Sequence, residues 1–169
     1  MTRVILNNEM LKNAYSTLLR AIEGDIDIPG VYVMQVYGRF LRIITESGET
    51  FKQLDIFIHD AVPLAAQILM TYFDAEDECN MAEVRLNKEM LKQAYDMLLK
   101  AIKEGLNIDG IYVRQMCEKI LKIETDVGKE LYIPICYAPL LAANILMVYF
   151  VAESECAEMT RRFKMGVWD

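Results

Sequence analysis

The chain has 169 residues, is 54% hydrophobic and carries a net charge of −7 at pH 7. That is enough apolar material for a compact fold, and the acidic balance argues against nucleic acid as a partner, because nonspecific phosphate binding needs a basic surface. The longest apolar stretch, residues 138–152, is shorter than the roughly 20 residues that cross a bilayer, and the first residues lack a signal-peptide core, so we expect a cytoplasmic protein without a membrane partner.

Much of the sequence occurs twice. Residues 4–50 return as residues 84–130 with 22 identities in 47 positions, and residues 64–79 return as residues 141–156 with 12 identities in 16. A half of about 80 residues would be only marginally stable alone, so we expect the two copies to share one core. The predicted organisation is a first repeat, a second repeat and a C-terminal tail, at residues 1–80, 81–160 and 161–169.

Each repeat opens with a predicted amphipathic helix. Asn7 and Asn87 are good N-cap residues, and apolar residues follow each of them at spacings of three and four, which is typical of one helix face. The glycines Gly24 and Gly105 are the expected ends of the two helices.

The middle of each repeat is predicted to be a β-hairpin. Two runs rich in β-branched and aromatic residues flank a polar stretch that contains Gly48 or Gly128, where glycine tolerates positive φ. Pro134 in the last run indicates an edge strand. Residues 31–45 and 111–125 also fit a helical period, so an all-α fold with six helices is the alternative.

A second helix is predicted to close each repeat. Asp60 is a candidate N-cap for the first of these helices, and Pro63 and Pro139 suit a first helical turn. Both helices are apolar on nearly every side, which places them in the centre, packed on each other or on the sheets. The predicted fold class is therefore α+β: a tandem duplication of a helix–β-hairpin–helix unit with pseudo-twofold symmetry.

The four cysteines do not indicate a metal site or a disulfide framework. No two of them form a Cys-x-x-Cys pair, and one histidine is too few for a common zinc site. We expect reduced, partly buried thiols, no metal and no cofactor, since the sequence also lacks a glycine-rich nucleotide motif.

His59 and Asp60 are the most obvious candidates for catalysis. An adjacent carboxylate can orient an imidazole, and Cys136 is the thiol that His59 would have to activate across the two repeats. Neighbouring positions in sequence do not bring two side chains together, however, and no nucleophile motif accompanies the pair. We expect Asp60 to cap its helix, His59 to be a loop residue, and the protein not to be an enzyme.

The main functional hypothesis is a small acidic module that binds another protein as an adaptor, regulator or inhibitor. Residues 1–80 contain 12 acidic and 6 basic residues, and the densest acidic run lies at the end of a helix, where the helix dipole disfavours negative charge. A basic partner would offset that cost, and the chain could also pair with a second copy of itself. The candidate partner-binding residues are His59, Asp74, Glu76, Asp77 and Glu78.

The alternative hypothesis is a module that binds or senses a small molecule at the seam between the repeats. Polar residues that occur at equivalent positions in both copies would face one shared cleft and bind a ligand through hydroxyl and amide groups. The candidate residues are Tyr32, Gln35, Tyr112 and Gln115.

Overall fold

The computed structural model describes residues 7–75, 85–102, 106–117 and 119–164, with side chains described as far as Ala152 in the last helix. These residues form an α+β fold, and residues 7–75 and 85–164 are called the first and second halves below. Four helices and six strands are described, in the order α1 (Asn8–Ala21), β1 (Val31–Val36), β2 (Phe40–Ser47), β3 (Thr50–Phe57), α2 (Ala61–Asp74), α3 (Lys88–Ala101), β4 (Ile111–Met116), β5 (Ile120–Thr125), β6 (Glu130–Pro134) and α4 (Ala138–Lys164).

Each half contains a three-stranded antiparallel sheet, in the order β1-β2-β3 or β4-β5-β6. The all-α alternative is therefore wrong, because residues 31–45 and 111–125 fall within paired strands and their connecting turns. The predicted hairpins around Gly48 and Gly128 form, with φ of +63° and +87°, but a third strand joins each of them. Side chains alternate along β2, where Leu41 and Ile43 are fully buried and Arg42 points outward. That period of two identifies the segment as a strand.

The first helix of each half begins as predicted. The Asn7 and Asn87 side chains each accept a hydrogen bond from a backbone N–H three residues later, at 3.1 Å. Both helices end earlier than expected: the chain is already extended at Ile22 and Ile102, so Gly24 lies beyond the end of α1 and Gly105 lies outside the described residues.

Helices α1 and α3 pack extensively against each other and join the two halves. The Asn7 N–H donates to the Ala101 carbonyl at 2.8 Å, and the Asn87 N–H donates to the Ala21 carbonyl at 2.7 Å. The start of each helix is thus bonded to the end of the other, so these backbone groups find hydrogen-bond partners across the two halves.

Helices α2 and α4 form the centre of the core and pack on each other, as their apolar sequences predict. Each of them also covers the sheet of the other half: α2 lies on β4 and β5, and α4 lies on β1 and β2. Gln67 on α2 donates to the Leu106 carbonyl, and Asn144 on α4 donates to the Ile26 carbonyl at 2.7 Å. The core of each half is therefore completed by a helix of the other.

The segment Ile135–Ala152, made of the turn before α4 and the first part of that helix, is long and apolar enough to cross a membrane. Of this stretch, 72% is buried inside the fold, and the core helix of a soluble protein meets the same criteria. Helix α4 continues to Lys164, so residues 161–164 of the predicted tail are helical.

Candidate functional site

The outward side of the first sheet carries a group of exposed or partly exposed aromatic side chains and one methionine. The inward side buries Leu41, Ile43 and Leu54, so the residues between them point to solvent. Tyr37 in the β1–β2 turn is 83% exposed, and Phe51 on β3 is 66% exposed. The surface called the aromatic face below consists of Tyr32, Met34, Tyr37, Phe40, Phe51 and Phe57.

A row of stacked rings runs along one end of the aromatic face. Phe40 and Phe57 face each other in the β2–β3 register, with ring centroids 5.0 Å apart and an interplanar angle of 29°. The imidazole of His59 stacks on Phe57 at 5.5 Å and 19°. His59, expected to be a loop residue, therefore extends an aromatic row. Sequence reasoning missed this contact because it depends on the strand register and on the turn that follows β3.

An ion pair lies at the centre of the aromatic face. The Arg42 guanidinium donates two hydrogen bonds to the Asp55 carboxylate, at 2.8 and 3.1 Å, and its central carbon lies 5.9 Å from the centroid of the Tyr37 ring. Hydrogen bonding to Arg42 lowers the pKa of Asp55. At the other end of the sheet, the Tyr32 hydroxyl donates to Glu46 at 3.2 Å, and this bond raises the pKa of Tyr32.

The outward side of the second sheet is charged where the first is apolar. Arg114 takes the position of Met34, and Glu124 takes that of Ile44. Arg114 pairs with Glu124, whose carboxylate also lies 3.3 Å from the Lys122 ammonium group. The two sheets share a backbone pattern but differ at these two outward positions, which are apolar in the first sheet and charged in the second.

The Asp60 side chain does not cap α2, so that prediction is wrong: it makes no hydrogen bond to the helix N-terminus. Asp60 instead lies 3.6 Å from the half-exposed imidazole of His59, measured from Oδ1 to Nε2. Burial raises the pKa of Asp60, with His59 acting against this shift and Asp109 adding to it. The separation of Asp60 and His59 is too long for a good hydrogen bond.

Cys136 is disulfide-bonded, so the expectation of reduced thiols is wrong for this residue. Cys117, by contrast, is free and exposed. An oxidised sulfur is not a thiolate nucleophile, which removes the proposed pairing of Cys136 with His59.

The acidic run is described only in part. Asp74 is the exposed last residue of α2, whereas Glu76, Asp77 and Glu78 lie outside the described residues. His59 precedes the other end of the same helix, roughly 20 Å away at a rise of about 1.5 Å per residue. The structure therefore does not bring His59 and Asp74 together in one contact surface.

The four seam candidates lie on the first strands of two different sheets. Tyr32 and Gln35 belong to β1, where the Gln35 amide donates to the Gly38 carbonyl at 3.2 Å. Tyr112 and Gln115 belong to β4. Of these four residues, only Tyr112 lines the cleft described next.

A cleft of about 650 Å³ lies between the halves, where α2 of the first half meets β4 and the segment before it. Sequence reasoning missed most of this site, because the position of α2 over the opposite sheet is a property of the tertiary structure. The described lining residues are Gln67, Met70, Leu106, Asn107, Ile108, Ile111, Tyr112, Val113 and Arg114.

Neither a metal-binding geometry nor likeness to a known protein assigns a reaction to the chain. Within the described ranges, no group of three or more His, Cys, Asp and Glu side chains is placed to hold a metal ion. No protein-family model, curated protein or solved structure matches the chain.

Proposed function

We propose that this chain is a non-enzymatic protein-interaction module, acting as an adaptor, regulator or inhibitor, and that it binds its partner through the aromatic face. The observation that supports this most directly is the exposure of Tyr37, Phe51 and Phe57 on one sheet surface that also carries the Arg42–Asp55 pair. The centres of protein interfaces are enriched in aromatic residues, Met and Arg, which contribute most of the binding energy.

The chemistry of the partner follows from the charge of the chain. A net charge of −7, with acids such as Glu46 beside the aromatic face, favours a protein that presents an apolar patch with a basic rim. Stacked aromatic rings also bind single-stranded nucleic acid, but those sites need a positively charged groove. We therefore propose a protein partner and not nucleic acid, while a cytoplasmic location and the absence of a membrane partner stay predictions from the sequence. Asp74, Glu76, Asp77 and Glu78 remain a proposed second contact for basic residues, and a second copy of the chain remains an alternative partner.

Site-specific photocrosslinking tests the location of this interface. A photoreactive phenylalanine analogue placed at Tyr37 should capture a protein in cells, whereas the same group at Val127, on a turn of the second sheet with 79% exposure, should not. The captured protein is then purified, and its binding is measured calorimetrically with the wild-type chain and with Tyr37→Ser and Phe51→Ser. Equal capture at both positions, or unchanged affinity of both variants, would contradict the proposal.

The second candidate function is the binding or sensing of a small molecule at the seam. The cleft between the halves supports it, since ligand pockets usually occupy several hundred Å³ and are lined mainly by apolar residues. Tyr112 is the seam residue that this candidate retains. A rise in melting temperature with a bound metabolite tests it, because a ligand that binds only the folded state stabilises that state.

We also propose that the halves arose by tandem duplication and are related by a pseudo-twofold axis. Reciprocal contacts support this relationship, because a contact from the first half to the second has its equivalent in the opposite direction. The Asn7–Ala101 and Asn87–Ala21 backbone bonds form one such pair. Others are the ring contacts Tyr15–Phe150, at 5.2 Å, and Tyr95–Phe73, at 5.1 Å.

A further inference from the structure

We propose that the cleft between the halves binds a small amphipathic anion, an aliphatic chain that ends in a carboxylate, with Arg114 as the residue that binds the charged end. This inference rests on the second candidate function, because it names the ligand class of that same cleft. Three features support this ligand class: the apolar walls of the cleft, Arg114 as the one charged residue among the described lining residues, and the ability of Arg114 to exchange Glu124 for a ligand carboxylate.

The walls of the cleft suit an aliphatic chain. Met70 on α2 faces Ile111 and Val113 on β4, and the buried Ile108 lies beside them. The amide of Gln67 is already bonded to the Leu106 carbonyl, which ties the helix to the segment that borders the cleft. Binding of an alkyl chain here would be favourable because it removes apolar surface from water.

Arg114 is the only charged residue among the described residues that line the cleft. Its guanidinium is more than half exposed and suits a carboxylate, since the two groups can form two parallel hydrogen bonds. Cation and apolar walls together select a ligand that is charged at one end and apolar along the rest.

The present partner of Arg114 would not be left unpaired when a ligand binds. Glu124 lies 3.3 Å from the Lys122 ammonium group, so this ion pair persists if Arg114 turns toward the ligand. A ligand carboxylate would therefore replace Glu124 as the partner of Arg114, and Glu124 would keep Lys122 as its own partner. Met34 occupies the equivalent position in the first half and offers no such cation.

The test measures binding of decanoate and of its neutral counterpart decanol by titration calorimetry. The wild-type chain should bind decanoate more tightly than decanol. Arg114→Met, which installs the residue of the equivalent first-half position, should weaken decanoate binding about tenfold and leave decanol binding unchanged. Arg114→Lys should restore part of the preference.

A pair of matched variants locates the site. Met70→Trp should block the cleft and abolish binding of both probes, whereas Met147→Trp, on α4, should retain it. The two methionines occupy equivalent positions and are 40% and 39% exposed, so neither substitution removes a core side chain. Met147 does not line this cleft.

Three results would overturn the inference, and they separate it from the function on which it rests. Absence of saturable binding of either probe to the wild-type chain would remove this cleft as a lipid-like ligand site. Equal binding of decanoate and decanol, unchanged in Arg114→Met, would leave a ligand cleft but refute the anionic class. Unaltered binding in Met70→Trp would place the ligand elsewhere on the molecule.

Discussion

The Arg42–Asp55 pair should make stability depend on pH. Because Arg42 lowers the pKa of Asp55 below its ordinary value near 3.8, the unfolded chain binds the proton more readily than the folded one. The stabilisation is present above that value and is lost as the pH falls through the lower pKa of the folded state. We expect Asp55→Asn to reduce the free energy of unfolding at pH 7 by about 0.5–1 kcal/mol.

Urea unfolding at several pH values measures this effect. The difference between wild type and Asp55→Asn should shrink as the pH falls below 3.8, since protonated Asp55 no longer pairs with Arg42. Glu49→Gln, which alters an exposed acid in the β2–β3 turn, serves as the control. A difference that stays constant from pH 7 to pH 3 would contradict the assignment.

Gly30 is a position where the backbone leaves no room for a side chain. Its φ is +76°, and a Cβ atom there would lie 2.9 Å from the backbone carbonyl oxygen of Glu46, which β-sheet pairing holds in place. Gly38 has a similar φ of +71° but open space around it. We expect Gly30→Ala to cost more than Gly38→Ala, whose cost is the strain of about 1 kcal/mol for a left-handed alanine.

Thermal unfolding of the two glycine variants checks this order, and Gly110→Ala adds an intermediate case. A Cβ at Gly110 would meet the carboxylate of Asp126 at 3.0 Å, and a side chain can move away where a backbone carbonyl cannot. Equal destabilisation of Gly30→Ala and Gly38→Ala would show that the contact with Glu46 does not matter.

Single residues were predictable where their role is local. The caps at Asn7 and Asn87 follow from side-chain chemistry and the next three residues, and both form. The predicted cap at Asp60 does not form, because α2 is preceded by a tight turn that directs the carboxylate toward His59. The stacking of His59 on Phe57 depends on the path of the chain after β3, which neighbouring residues do not encode.

At the scale of elements, the ring contacts between the helices should couple the two halves energetically. A double-mutant cycle on Tyr15 and Phe150, with each changed to Leu, should give a coupling of about 0.5–1.5 kcal/mol, which is typical of an aromatic pair in contact. The measurement is the free energy of unfolding of the wild type, both single variants and the double variant.

The control cycle pairs Tyr15 with Phe73, a residue of its own half whose ring packs on Tyr95 instead. This cycle should be additive within about 0.5 kcal/mol. Coupling of Tyr15 to Phe73 that exceeds its coupling to Phe150 would contradict the exchange of helices between the halves.

The types of the elements were largely predictable, but their arrangement was not. Glycines at the turns and runs rich in β-branched and aromatic residues predicted β2, β3, β5 and β6, while β1 and β4 were not placed in the predicted hairpins. Both sheets bury the same apolar pattern, and α2 and α4 have nearly the same sequence. No local signal therefore distinguishes a helix that covers its own sheet from one that covers the other.

For the whole molecule, the exchanged helices predict a single cooperative unfolding transition. Leu64 on α2 and Leu141 on α4 are fully buried, and each side chain belongs to the core shared by both halves. We expect Leu64→Ala and Leu141→Ala each to reduce the free energy of unfolding by about 2–5 kcal/mol. In both variants, every probe should report the same transition.

Calorimetry and circular dichroism test this cooperativity. The calorimetric and van't Hoff enthalpies should agree in both variants, and Leu19→Ala, at a position that is about one-third exposed, should change stability much less. Two separate unfolding transitions, one lowered by Leu64→Ala and the other by Leu141→Ala, would show that the halves unfold independently.

The crossing backbone bonds between α1 and α3 have a consequence for how the chain behaves at high concentration. Because each half meets the other through groups that a second molecule also carries, the contacts inside one chain and between two chains are chemically the same. What favours the closed monomer is the high effective concentration that a covalent link gives to the second half. When the protein concentration during refolding approaches this effective concentration, mass action should yield dimers. These dimers should have native spectra and should dissociate only when the chains unfold.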